Sequence, residues 1–193
     1  MIALPQARVT HMTQRRVETV TSSDIRAVFE NWLASECRAG ARLIVLEGLT
    51  GSGKSHLTEQ PFAIGTTQST NIEIDKFLRA PVPPTVPYPD GVDRAALQAA
   101  LERALASPMS VVVIEGPMAW PLVEPISALT RDRIRRVYLK RMMRLKPDFW
   151  IDENYLGDPN FWPPADYHRA IYQYHAERRP WLDADLVLER IED

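Results

Sequence analysis

Gly48-Leu49-Thr50-Gly51-Ser52-Gly53-Lys54-Ser55 fits G-x-x-x-x-G-K-[ST] at every fixed position. It follows the apolar run Leu43-Ile44-Val45-Leu46 and opens a segment, Lys54 to Phe62, whose pattern predicts a helix. Strand, glycine loop and helix form the context in which this motif cradles phosphate. Glycines let the backbone turn sharply and aim successive N–H groups at phosphate oxygens. A helix N-terminus presents further N–H groups to the same anion. Lys54 can reach the β- and γ-phosphates and the Ser55 hydroxyl can ligand Mg²⁺. The expected ligand is a nucleoside triphosphate, ATP by first choice, held by Gly48, Thr50, Gly51, Ser52, Gly53, Lys54, Ser55 and His56. His56 is the weakest of these, because packing or solvation is the default for a histidine on a first helical turn.

Outward from the loop, strand and helix patterns alternate. Arg42 to Glu47 reads as a strand buried on both faces, and Ser110 to Glu115 as a second such run. Asn71 to Asp75 alternates polar and apolar and predicts a short strand ending at Asp75. Arg135 to Arg141 and Ala184 to Leu188 complete the strand set. Helices are expected from Ser22 or Ser23 to Gly40, from Asp93 to about Ala106, over 121–130, and from Tyr167 to Arg179, where Pro180 ends the last. Residues 1–20 read as a loosely held polar arm. Strands alternating with helices predict a doubly wound, mainly parallel sheet. With the glycine loop after its first strand, the expected fold is a three-layer α/β/α sandwich of the P-loop NTPase class with a small lid. The organisation expected is an arm and helix over 1–40 and a kinase domain over 41–193, with substrate or lid loops around 78–92 and 141–165.

In such a sheet ligands gather at the carboxyl ends of the strands. Three strands deliver polar groups there: one the glycine loop, one Asp75, one Glu115. A carboxylate beside the γ-phosphate can take the proton of an attacking hydroxyl, which is the role expected of Asp75. Ser55, Asp75 and Glu115 are the candidate Mg²⁺ ligands, directly or through water. The alternatives are plain: Asp75 as a helix cap or turn residue, Glu115 as a satisfied strand-end carboxylate. Arg131, Arg133, Arg135, Arg136, Lys140, Arg141, Arg144 and Lys146 form a basic run. Most suit a solvated face; Arg141 and Arg144, after the strand, are the candidates for stabilising transferring phosphate. Asp148, Asp152 and Glu153 are candidate acceptor contacts, with a solvated loop as the default. Tyr88, Trp120, Phe149, Trp150, Tyr155, Phe161 and Trp162 can stack on a ring or pack beneath loops. His168 and His175 share one face of a helix without a partner carboxylate.

Composition sets the outer limits. The chain has 193 residues, 45% hydrophobic and 25% charged, with a net charge of -2. That suits one soluble domain and gives no global field toward nucleic acid or an anionic membrane. Its single cysteine, Cys37, suits a reducing compartment, and Arg8, Arg15 and Arg16 precede no apolar run of a signal peptide. A cytoplasmic location is expected, with no nucleic-acid or membrane partner and with homo-oligomerisation left open.

Glu47-Gly48 through Lys54-Ser55, Ile74-Asp75-Lys76-Phe77 and Val113-Ile114-Glu115-Gly116 together resemble the uridine kinase and phosphoribulokinase group of P-loop kinases. Tyr172-Gln173-Tyr174 followed by Arg179-Pro180-Trp181-Leu182-Asp183-Ala184-Asp185 is similar to the ending of nucleoside kinases in that group. The resemblance implies Asp75 as the base facing the acceptor hydroxyl, Glu115 assisting at Mg²⁺, and the tail near the nucleotide base. Leu78 stands where the group commonly has a tyrosine or histidine, and no clean Arg-Asp lid pair follows the Tyr138 strand. The implied function is an ATP- and Mg²⁺-dependent kinase for a small-molecule hydroxyl, with a nucleoside such as uridine first. A sugar, vitamin precursor, antibiotic or nucleotide sugar is the alternative acceptor. A nucleotide-dependent regulatory ATPase is the alternative from another class.

Overall fold

The computed structural model describes residues 16–144, 149–151 and 156–192. Strands β1 (Arg16–Thr21), β2 (Leu43–Glu47), β5 (Thr70–Glu73), β6 (Val112–Glu115), β7 (Ile134–Arg144) and β9 (Leu186–Glu192) form one parallel sheet in the order β1-β9-β7-β2-β6-β5. Strands β3 (Ala63–Ile64) and β4 (Thr67–Gln68) make a separate small hairpin. Strand β8 (Phe149–Ile151) pairs antiparallel with Met142–Arg144 of β7.

Helices lie on both faces, as the two-sided burial of the central strands requires. Leu43 and Val45 of β2 face a core shared with α4 (Arg94–Leu105), α5 (Ala119–Val123) and α6 (Asp166–Arg178). Ile44 and Leu46 face the opposite core, filled by Phe29, Trp32 and Leu33 of α1 (Ile25–Arg38) together with Leu57 and Phe62. Alternation along a strand sends successive side chains to opposite layers, so one short run feeds both cores. Helix α4 forms as its pattern predicts: Asp93 caps it by accepting from the Ala96 amide at 3.1 Å, and Leu97 and Leu101 are buried.

Several boundaries differ from the sequence reading, each for a physical reason. The helix predicted over Lys54 to Phe62 is a single turn, α2 (Lys54–Leu57). Arg26 of α1 donates to the carbonyls of Leu57, Gln60 and Pro61 at 3.1, 3.2 and 2.9 Å, so the chain's orphan acceptors are satisfied without further helix. Phe62 then drops into the core edge-on to Phe29. The arm expected over residues 1–20 includes an edge strand, because the carboxyl-terminal strand offers Arg16–Thr21 a parallel partner. Residues 1–15 lie outside the described residues. The cap of α1 is Asp24, whose carboxylate accepts from the Thr21 hydroxyl at 2.7 Å, and not Ser22 or Ser23. Of the helix expected over 121–130 only 121–123 is helical, in α5, which starts at Ala119 and ends at Val123; Pro121 costs nothing in a first turn whose N–H groups have no helical acceptor. The last strand starts at Leu186 and runs four residues beyond the expected end at Leu188, held between β1 and β7.

The sheet changes direction at the glycine loop. From β2 the chain moves outward past β6 to β5, whereas from β7 it moves the other way to β9. Divergent connections open a crevice at the carboxyl ends of β2 and β7, where ligands of such sheets sit.

Candidate phosphate-binding site and its carboxylates

The glycine loop leaves β2 directly into that crevice. A side chain at Gly48 would collide with the carbonyl oxygen of Leu139 on β7, so only hydrogen fits. Gly53, with φ at +97°, makes the left-handed turn into α2. Lys54 folds back along the loop: its ammonium donates to the carbonyls of Gly48 at 2.9 Å and Leu49 at 3.0 Å and lies 3.4 Å from Ser52 Oγ. The side chain is only 6% exposed, so its charge sits in a poorly solvated place at the loop's rim. Thr50 and Gly51 are exposed and Ser52 is buried. His56 points to solvent, 3.7 Å from Glu59, and takes no part in the loop's interior contacts.

Ser55 and Glu115 come together across the crevice: the Ser55 hydroxyl donates to Glu115 Oε1 at 2.8 Å. Burial raises the Glu115 carboxyl above its ordinary value; Lys54 and the Ser55 hydrogen bond oppose this, while Glu73 and Asp75 add to it. Glu73 and Glu115 occupy the same register level on neighbouring strands. Glu73 also pairs with Lys76 at 3.0 Å and lines, with Ser55, Thr58 and Asn71, a cleft of about 330 Å³. Glu73 escaped the sequence reading because an alternating strand gives no sign of which residue stands at the ligand end. Among the described residues no cluster of three or more His, Cys, Asp or Glu could cage a metal. Paired hard oxygens from one hydroxyl and one carboxylate fit a different use, the partial shell of Mg²⁺ whose remaining ligands are phosphates and water.

Asp75 lies two residues past the end of β5, in a 3-10 turn over Ile74–Phe77, so the predicted strand end shifts and the turn alternative describes its backbone. It remains at the ligand edge and exposed. Its Oδ1 accepts from the Tyr88 hydroxyl at 2.6 Å. Tyr88 opens the one-turn helix α3 (Tyr88–Gly91) in the proline-rich segment and is fully buried, so it fixes the carboxylate from beneath. This tyrosine was expected to stack or pack; it packs, and also holds the candidate base.

The arginines come from the sheet and not from a lid. Arg141 lies within β7, and its Nη1 is 3.7 Å from where a side chain at Gly51 would begin. Arg190, directly opposite Arg141 on β9, lays its guanidinium against Gly53. Arg190 was missed because its strand was expected to stop two residues earlier. Arg144 also lies in β7, but its side chain falls outside the described structure, as do those of Phe149, Trp150 and Phe161. Lys146, Asp148, Asp152, Glu153 and Tyr155 lie outside the described residues. The backbone of β8 nonetheless has a defined place. One edge of β7 is taken by β9 through Met143, so β8 uses the edge that β2 leaves free beyond Glu47, on the side of the glycine loop.

Beneath the loop a buried polar network ties the layers together. Glu47, next to Gly48, accepts from the Trp120 amide at 3.0 Å and the Tyr174 hydroxyl at 2.9 Å, with Arg136 3.5 Å away. Arg136 lies over the Trp120 ring at 4.9 Å. His175 donates from Nε2 to the Pro117 carbonyl at 2.7 Å, which leaves Nδ1 to accept from the Tyr138 hydroxyl at 2.9 Å. Burial pushes this imidazole down to about 3, so it is neutral and structural. The unfolded chain, with the ordinary value of 6.5, takes up this proton first as pH falls. Stability therefore declines below about pH 6.5, by roughly 1.3 kcal/mol between pH 7 and 5.5 from this group alone. Glu47 and Glu115, both raised, titrate in the opposite sense, so the readout is a difference. Urea unfolding of the wild type and His175→Gln at both pH values should show the loss in the wild type relative to the variant; equal slopes would remove the buried histidine from the acid response.

No described helix is long and apolar enough to cross a membrane. No protein-family model, curated protein or solved structure matches this chain.

Proposed function

We propose that this chain is an ATP- and Mg²⁺-dependent kinase that transfers the γ-phosphoryl group to a hydroxyl of a small molecule, built on a P-loop NTPase sandwich. The observation that carries the reading is the convergence at one sheet edge of Lys54 curled inside its glycine loop, Ser55 bonded to Glu115, and Asp75 held by Tyr88. Loop amides and Lys54 hold the phosphates. A helix of one turn has little macrodipole, so more of the anion's charge falls to Lys54, Arg141 and Arg190. Ser55 and Glu115 would hold Mg²⁺, which when bound offsets phosphate charge. Asp75 takes the acceptor's proton as its oxygen bonds to the γ-phosphorus; the bond to the β–γ bridging oxygen breaks and ADP leaves with that electron pair.

The test is ADP release from Mg·ATP across nucleosides, pentose and hexose phosphates, pantothenate, aminoglycosides, nucleotide sugars and apolar alcohols. Stimulation by one class, with the phosphorylated product seen by mass, is the expected result. Steady hydrolysis that no acceptor stimulates would replace this reading with a regulatory ATPase. Arg190→Ala should weaken Mg·ATP binding by roughly tenfold or more, the worth of a charge-assisted hydrogen bond. Calorimetry checks this, and unchanged affinity would leave Arg190 a support of the loop's shape only.

A further inference from the structure

Beyond Asp75 the chain forms a second space, open to solvent on one side. Leu78, Val82 and Pro84 of the proline-rich segment and Ala165, Tyr167 and His168 at the start of α6 line a cavity of about 260 Å³. The walls are held in place by backbone: the Tyr167 amide donates to the Pro84 carbonyl at 3.2 Å, and Leu78 bridges to Val92. The cavity is joined to the candidate base through two aromatic rings. Tyr167 forms part of its wall and stands edge-on to Tyr88, with ring centres 5.4 Å apart, and Tyr88 donates to Asp75. Burial and then the Asp75 charge raise the Tyr167 hydroxyl to about 12, which puts that wall within electrostatic reach of the carboxylate.

We propose that this cavity receives the body of the phosphoryl acceptor, and that the acceptor is an uncharged alcohol or phenol whose remaining surface is mostly apolar. The inference rests on the kinase reading for the transfer step, but the ligand class follows from the walls. Four of the six lining side chains are aliphatic, Leu78, Val82, Pro84 and Ala165, and neither lysine nor arginine is among the six. A phosphate or carboxylate on the acceptor would lose its water there with no lysine or arginine in the lining to pair it. A polyol would bury several hydroxyls against carbon, and only Tyr167 and His168 could answer them. A space equal to about nine waters at ~30 Å³ each suits a phenyl ring or a short branched chain. Asp75 lies outside the lining, so the hydroxyl of such a molecule projects from the cavity toward it; Asp75 removes the proton while the oxygen takes the γ-phosphoryl group from ATP and ADP departs.

The experiment offers the full chain benzyl alcohol, its para-carboxylate, ribitol and uridine. Binding is followed by calorimetry with Mg·ADP present, and transfer by product mass with Mg·ATP. Benzyl alcohol should bind at least tenfold tighter than the other three and be phosphorylated with the highest kcat/KM. Val82→Asp should weaken its binding at least tenfold, with a melting curve to show that the variant folds. Val82→Ala, which removes only two methyl groups, should admit a naphthyl alcohol that the wild type excludes. Preference for ribitol, uridine or the carboxylate, or indifference of benzyl alcohol binding to both Val82 variants, would overturn the proposed class and leave the kinase reading intact. Benzyl alcohol that binds, and responds to Val82, without ever being phosphorylated would uphold the pocket and overturn the kinase. Absence of both binding and transfer for all four would overturn the pocket assignment.

Discussion

Lys54→Ala should lower kcat/KM by on the order of a thousandfold or more, the scale seen when a principal donor to transferring charge is removed. The argument is geometric. The ammonium of Lys54 is held by the carbonyls of Gly48 and Leu49 at the rim of the loop, 6% exposed, where water screens it poorly. A phosphate entering the loop meets this charge already in place, with little ordering left to do. The loop itself should survive in part, because Ser52 still donates from its amide to the Leu49 carbonyl at 3.1 Å and Gly48 is still pressed against β7. A melting experiment separates lost binding from lost fold. Ligand at a hundred times Kd stabilises a protein by about 2.7 kcal/mol, so Mg·ATP should raise the wild-type Tm and leave that of Lys54→Ala unmoved. A variant that keeps the ATP-induced shift and normal turnover would dismiss the loop as the phosphate site.

Asp75→Asn should keep Mg·ATP affinity and reduce kcat by on the order of a hundredfold or more, as expected when a general base is lost. The substitution is close to isosteric. The asparagine carbonyl can still accept from the Tyr88 hydroxyl, so the turn over Ile74–Phe77 should hold. What changes is the ability to take a proton. The effect should therefore appear in kcat, with KM for ATP nearly constant. A rise confined to the acceptor's KM would make Asp75 a contact for the acceptor only, and normal turnover would remove it from the mechanism. Glu115 is the internal control. Replaced by Gln, it should raise the Mg²⁺ concentration needed for half activity, because its Oε1 is bonded to Ser55 and not to Tyr88.

Strands β2 and β6, helix α4 and the loop between Gly48 and Ser55 were legible in the sequence because each is decided locally. Leu43–Glu47 and Val112–Glu115 are too apolar to tolerate water on either face. Asp93 caps its own helix, and Gly51 and Gly53 take positive φ within the loop itself. The candidate site followed as far as the motif reached: Lys54, Ser55, Glu115 and Asp75 do meet at one edge of the sheet.

The rest depended on partners far along the chain. Helix α2 stops after one turn where Arg26, from another helix, supplies donors to its last carbonyl, Leu57, and to those of Gln60 and Pro61 just beyond. Arg16–Thr21 and the end of β9 are polar segments with weak strand patterns of their own; each is a strand because the other, and β7, offers a parallel ladder. That pairing carries β9 on to Arg190 and brings its guanidinium against Gly53. Tyr88 likewise finds Asp75 only when the proline-rich segment folds under the 3-10 turn. The sequence alone determined the parallel sheet and the glycine loop, through burial and backbone constraints that act within a few residues. Tertiary structure decided which cations flank the loop, what holds Asp75, and the shape of the apolar space beside it, because hydrogen-bond ladders and side-chain contacts between distant segments exist only once the chain has closed.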